Sequence, residues 1–172
     1  MNLTKLTLNL FGLGYLLFAP VLCAEDASVE YKIKAGYLYN FTKFITWPEE
    51  RNPTFNICII GKDPFGSIID PIEQRTAMDR PIKLVRAEHY DKSLDCQIVF
   101  FGHLKELPII KKAVLTVSDT QDFASLGGMV SFIKKEGRIK LRINLQAIKS
   151  SDLEISAKLL EVSELINGNG HD

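Results

Sequence analysis

The sequence predicts an α/β domain with a mostly parallel central sheet flanked by helices, an antiparallel C-terminal hairpin and a closing helix. Three observations lead there. Short, nearly continuous apolar runs rich in β-branched residues mark strands buried on both faces, as parallel strands are. Segments with helical periodicity alternate with them. Near the C-terminus the pattern changes to two strand-like arms around Lys135-Glu136-Gly137, a hairpin with a glycine-containing turn.

The elements follow in order. Val29, Ile33, Tyr37, Phe41 and Ile45 recur at helical spacing over residues 28–46, and Trp47-Pro48 ends that helix because a residue preceding proline avoids the helical region. Residues 55–61 form a first buried strand. Asp63 and Pro64 then supply a capping residue and a proline suited to the first helical turn, which predicts a helix through Ile68, Ile69 and Ile72 to about Thr76. Residues 81–86 read as a second strand nearer an edge, 96–102 as a third, 104–112 as a short helix and 113–117 as a fourth strand. In the hairpin, Ile139, Leu141 and Ile143 face the core while Arg138, Lys140 and Arg142 face water. Residues 151–166 are expected to close the domain as an amphipathic helix, and 168–172 to fray. Neither a repeat nor a linker interrupts residues 25–172, which read as one domain.

Residues 1–24 differ in kind. Lys5 is the sole charge before Glu25, an apolar run extends to Phe18, and Pro20 precedes Val21-Leu22-Cys23-Ala24. This reads as a secretory signal peptide cleaved after Ala24. A retained anchor and lipidation at Cys23 are the alternatives; Leu22 occupies the place where lipidation wants a small residue. Cleavage leaves 148 of 172 residues, a single-domain length. It also leaves 20 basic against 21 acidic residues, without the positive excess that nucleic-acid binding requires. Of the three cysteines, Cys58 and Cys96 remain. In an oxidising compartment they form a disulfide or persist as two buried thiols.

The sequence offers little chemistry. His89, His103 and His171 lie far apart, and neither a metal-ligand spacing nor a nucleophile elbow is present. No catalytic residue, cofactor or metal is expected. The loop 61–66 sits where a phosphate loop would, but it lacks the Gly-Lys-Ser/Thr ending and Asp63 adds a negative charge, so it reads as a tight strand-to-helix turn. Three features carry functional alternatives. Ser118, Asp119, Gly127 and Gly128, with Asn144, either line a small-molecule site after a parallel strand or form a capped turn into the hairpin. The basic stripe Lys134, Lys135, Arg138, Lys140 and Arg142 meets an acidic partner or anionic lipid, or it is the solvated side of an edge hairpin. Tyr39, Phe44 and Trp47 belong to the core or offer an aromatic patch to another protein.

Several stretches together resemble a known family. Tyr31 to Phe41, Phe44 and Trp47-Pro48 are similar to the opening of the YfiR family of periplasmic regulators. So are Phe55 to Cys58, Gly61, Asp63 to Gly66, Arg80 to Ile82, Asp95-Cys96, Leu115 to Asp119, Phe123, Gly127 to Met129, Ile143 to Leu145 and Leu153 to Leu160. The resemblance covers nearly all of the chain after the signal, in order. It implies a non-enzymatic periplasmic repressor that binds the sensor part of an inner-membrane diguanylate cyclase, limits cyclic-di-GMP synthesis and restrains biofilm formation. It also implies a homodimer and a Cys58–Cys96 disulfide, while the second cysteine pair of some members is missing here. Binding that favours the sensor's inactive state would act by population shift. The alternatives are a regulator of another membrane sensor, such as a histidine kinase, and a periplasmic small-molecule-binding protein. Neither nucleic-acid binding nor membrane insertion after cleavage is expected.

Overall fold

The computed structural model describes residues 22–48, 52–104 and 106–168. The export signal expected over residues 1–24 lies almost wholly outside them. Helix α1 spans Leu22–Phe44 and runs into the two-residue strand β1, Ile45–Thr46. The main strands follow: β2 Phe55–Gly61, β3 Thr76–Ala77, β4 Arg80–Ala87, β5 Ile98–Gly102, β6 Leu115–Ser118, β7 Val130–Lys135 and β8 Arg138–Asn144. Helix α2 covers Leu145–Lys149, strand β9 Glu154–Ile155, helix α3 Ala157–Glu161 and strand β10 Glu164–Ile166.

Eight strands form one sheet in the order β10-β8-β7-β6-β5-β2-β4-β3. Strands β4, β2, β5, β6 and β7 are mutually parallel, β8 is antiparallel to β7, and β10 runs parallel to β8. The predicted fold class is the observed one. Glu136 (φ 53°) and Gly137 (φ 72°) close the β7–β8 hairpin with two residues of positive φ, as a two-residue turn between twisted strands requires. The hairpin is not an edge, however, because β10 covers β8.

The two faces are covered differently. Helix α1 and the β2–β4 connection pack over one face, where Leu38, Phe41, Phe65 and Ile69 meet Ile57, Phe100, Leu115 and Phe132. Beneath the other face lies a smaller cluster of Cys58, Ile60, Val99, Phe101 and Phe123, covered by the segments following β4, β5 and β6. Moving left from β2 to β4 on one face and right from β5 to β7 on the other is what right-handed crossovers dictate. The Cys58–Cys96 disulfide, with Cα atoms 5.9 Å apart, lies in the smaller cluster and ties β2 to the residues leading into β5.

Several expected helices are replaced, each for an identifiable reason. Residues 63–76 make two 3-10 turns, Gly66–Ile68 and Asp70–Gln74, because Pro71 removes a helical donor and restricts Asp70 before it. Pro108 does the same to 104–112, whose described residues form no helix. Within 151–166 the closing helix shrinks to the five residues of α3. Ser156 caps it through Leu159 N–H, Ile155 pairs with Ile45, and β10 joins the sheet. Helix α2 was not foreseen; its cap is Asn144, whose side-chain oxygen accepts from Ala147 N–H. The apolar face of α1 is also rotated from expectation: Ala35, Leu38, Phe41 and Ile45 are buried, while Val29 and Ile33 are 50% and 45% exposed.

The open edge of β4 is blocked by its own chain. Ile82 N–H donates to Arg75 O (3.1 Å) and Leu84 N–H to a Glu73 carboxylate oxygen (2.8 Å). These bonds occupy donors that would otherwise recruit a foreign strand.

Two predictions follow from this architecture. Replacing both cysteines by serine is expected to lower unfolding free energy by about 4 kcal/mol, the loop-closure value for a separation of 38 residues. That is a large share of the roughly 5–15 kcal/mol typical of a domain, and denaturant titration of oxidised, reduced and serine forms measures it. The second concerns Glu164, whose carboxyl Arg142 holds below its ordinary 4.5 through a 2.7 Å hydrogen bond. A carboxyl depressed in the folded state adds stability above its unfolded pKa and loses it as pH falls through the folded value. Because the side chain is 36% exposed, the contribution is below about 1 kcal/mol. Acid titration of the Glu164→Gln variant should show a correspondingly shallower loss of stability below pH 4.5.

Candidate functional site

Open parallel sheets gather ligands beyond the carboxyl ends of their strands, where the chain's winding reverses. Here the reversal falls between β2 and β5, since β4 lies to one side of that pair and β6 and β7 to the other. A cleft of about 800 Å³ opens at that point. Its floor is the backbone at Gly61 and Gly102, register partners at the ends of β2 and β5. One wall is the middle of α1, with Glu30, Tyr31 and Lys34; Asp119 and Thr120, just after β6, form another.

The charged centre of that wall is Lys34, whose side chain is 4% exposed. Its Nζ lies 2.6 Å from Glu30 Oε1 and 3.2 Å from Asp119 Oδ2, and 4.4 Å from the centroid of the Tyr31 ring. Tyr31 Oη donates to the same Asp119 oxygen at 2.8 Å. Burial, and then the hydrogen bond to Asp119, raise the Tyr31 pKa far above the phenol range, so the hydroxyl stays a donor. Glu30 also faces Lys134 of β7 at 3.6 Å. These contacts bind the middle of α1 to the carboxyl ends of β6 and β7. A buried lysine is tolerated only when paired in this way.

The five residues expected at a ligand site do not converge. Only Asp119 faces the cleft. Ser118 is fully buried; its hydroxyl donates to Phe101 O (2.9 Å) and accepts from Thr120 N–H (3.1 Å). Gly128 lies so close to the Phe123 ring that a Cβ would overlap it. Gly127 and Asn144 line a separate hollow of about 420 Å³ with Gln146 and Gly168. Asn144 is 1% exposed: it donates to Ala124 O and accepts from Ala147 and Gly168 N–H. These four residues hold together the turn into the hairpin, the capped-turn alternative.

The aromatic set divides as well. Trp47 is 2% exposed, stacks edge-on with Phe55 at 5.1 Å and donates its indole N–H to Gln97 O (3.2 Å), so it serves the core and leaves any partner surface. Phe44 is half-buried against the core. Tyr39 is half-buried, with Lys43 and Arg75 over its ring at 4.5 and 5.0 Å. The basic stripe is partly neutralised: Lys134 meets Glu30, while Lys135 and Arg142 meet Glu164. Among the described residues, no group of three or more His, Cys, Asp or Glu side chains is arranged to hold a metal, and no helix is long and apolar enough to cross a membrane.

Sequence reading missed Lys34, although a signal existed. It is the lone charge within the stripe Tyr31, Ala35, Leu38 and Phe41, and it stands four residues after Glu30. Lys34→Met keeps the aliphatic stem but leaves Asp119 without its cation and Glu30 with Lys134 alone. Since Asp119 and Glu30 are 20% and 27% exposed, the expected cost is about 2 kcal/mol, below the roughly 3–5 kcal/mol of breaking a fully buried pair. Urea titration measures it. Adding Glu30→Gln and Asp119→Asn should restore part of the loss, because the unpaired charges go too.

A family model described as YfiR/HmsC-like matches residues 31–164. No curated protein matches the chain. The matched span begins at Tyr31 of the cleft wall and ends in β10, so it takes in strands β2 to β8, the disulfide and the Lys34 network apart from Glu30. The chain belongs to the YfiR/HmsC-like family.

Proposed function

We propose that this protein is a non-enzymatic periplasmic regulator, exported by its first 24 residues. It binds the periplasmic sensor part of an inner-membrane diguanylate cyclase and represses cyclic-di-GMP synthesis. The observation that carries this reading is the family match over residues 31–164. The Cys58–Cys96 disulfide supports the compartment, since such bonds persist where thiols are oxidised. A periplasmic domain reaches a cytoplasmic product only through a membrane-spanning partner. The regulator must therefore bind one state of that partner more tightly than the other. In this reading the working form is a homodimer, and the half-buried Tyr39 and Phe44 on the last turns of α1 supply partner contacts.

Deleting the gene and measuring cellular cyclic-di-GMP tests the function. A rise reversed by the exported protein, and not by a version lacking residues 1–24, is expected. Unchanged levels would remove the repressor role. Substituting Tyr39 by Ala should weaken capture of the cyclase's periplasmic domain by more than the roughly 1 kcal/mol of folding stability that its lost ring contacts cost.

A further inference from the structure

The two strands that flank the reversal of winding end alike, each with a glycine followed by a basic or titratable side chain: Gly61-Lys62 and Gly102-His103. Their glycines face each other in register. Gly61 has φ +78°, and a Cβ on it would stand 2.9 Å from Gly102 O; a Cβ on Gly102 would overlap the Lys62 carbonyl oxygen. Side chains at these positions would force the strand ends apart. Without them, the next residues along the two strand ends, Lys62 and His103, both line the cleft and both are exposed.

The charges around them leave these two groups in surplus. Glu30 and Asp119, the carboxylates of the cleft wall, are already engaged by Lys34, Lys134 and Tyr31. Asp63, next in sequence to Lys62, turns elsewhere. One of its oxygens accepts from Phe65 and Gly66 N–H and the other pairs with Arg86 at 2.8 Å. The negative charge that argued against a phosphate loop is therefore neutralised outside the cleft. Glu88 and Glu106 line an adjoining hollow that His103 also borders and do not line this one. Among the described residues, neither Lys62 nor His103 has an ion-pair partner.

We propose that the cleft binds a small soluble molecule through an oxyanion group, a carboxylate or a phosphate, held by Lys62, His103 and the Thr120 hydroxyl. The body of the ligand lies along Tyr31 and the polar wall of α1. The cleft's 800 Å³ falls in the range that encloses metabolite-sized ligands, and charge-assisted bonds to an anion are the strong kind. Binding needs no phosphate-loop motif, because the donors are side chains on two strand ends. It is also independent of which membrane protein the regulator controls.

The probes are inorganic phosphate and citrate, titrated separately into the oxidised protein at constant ionic strength and followed by amide chemical shifts and calorimetry. At least one is expected to saturate at millimolar concentration, with shifts centred on Gly61 to Lys62, Gly102 to His103 and Asp119 to Thr120. The double variant Lys62→Gln/His103→Asn should lose affinity about tenfold, roughly 1.4 kcal/mol; asparagine is chosen because it tolerates the φ of 59° at position 103. Lys149→Gln, exposed on α2, should bind as the parent does. The proposal is overturned if neither probe saturates, if the double variant binds as tightly as the parent, or if the shifts centre elsewhere.

Discussion

A parallel sheet is buried on both faces, and the described residues offer one long helix with which to do it. Most of the structure answers that shortage. Helix α1 is laid across the face over β5, β6 and β7, where Phe41 stacks on Phe132 at 6.3 Å and the β2–β4 connection adds Phe65 and Ile69. The opposite face receives loops, which bury less apolar surface and keep more freedom than a helix would. The disulfide sits on that face. It restricts the unfolded chain where packing is least able to stabilise the folded one, so its position follows from the one-sided supply of helix.

The same shortage explains why Lys34 is buried. A helix broad enough to cover the sheet must extend past the strand ends, and there the surface beneath it is polar loop rather than apolar strand. At Tyr31 and Lys34 the buried stripe of α1 therefore changes from packing to hydrogen bonding. Aromatic contacts continue across the transition: Tyr31 packs edge-on against Phe65 at 5.4 Å, Phe65 against Phe100 at 4.8 Å, and Phe100 lies 6.5 Å from Phe132. Rotation of α1 would break the ion network and the ring contacts together, which fixes its register.

The sheet was legible in the sequence because continuous apolar runs such as 55–61 and 98–101 have few ways to be buried other than as interior strands. The connections were not. The patterns over 63–76 and 104–112 are helical in period, but Pro71 and Pro108 outweigh them, a penalty of about 3 kcal/mol against a few tenths per favourable residue. Over 154–166 the competition is tertiary: Ile155 and residues 164–166 gain sheet partners that no local pattern reveals. The face of α1 was misjudged because Val29 and Ile33 are apolar, whereas the helix is oriented by a lysine. At the cleft, Asp119 was legible as a residue following a parallel strand. Lys62 and His103 were not, since their convergence depends on the pairing of Gly61 with Gly102.

The cleft and the far end of α1 are two places on one rigid element. Tyr31 and Lys34 lie in the cleft wall; Tyr39 and Phe44 lie two to three turns further along the same helix. The intervening Ala35, Leu38 and Phe41 are packed into the core, which leaves no soft segment to absorb a displacement. A group that entered the cleft and altered the Lys34 contacts would act on the anchor of the helix rather than on a free loop. Linkage then works in both directions: a partner that prefers one setting of α1 changes affinity at the cleft by the same factor that occupancy of the cleft changes affinity for the partner. Rigidity also sets the limit on such coupling. If the two settings of α1 do not differ in their cleft contacts, the two sites are independent however tightly each is filled.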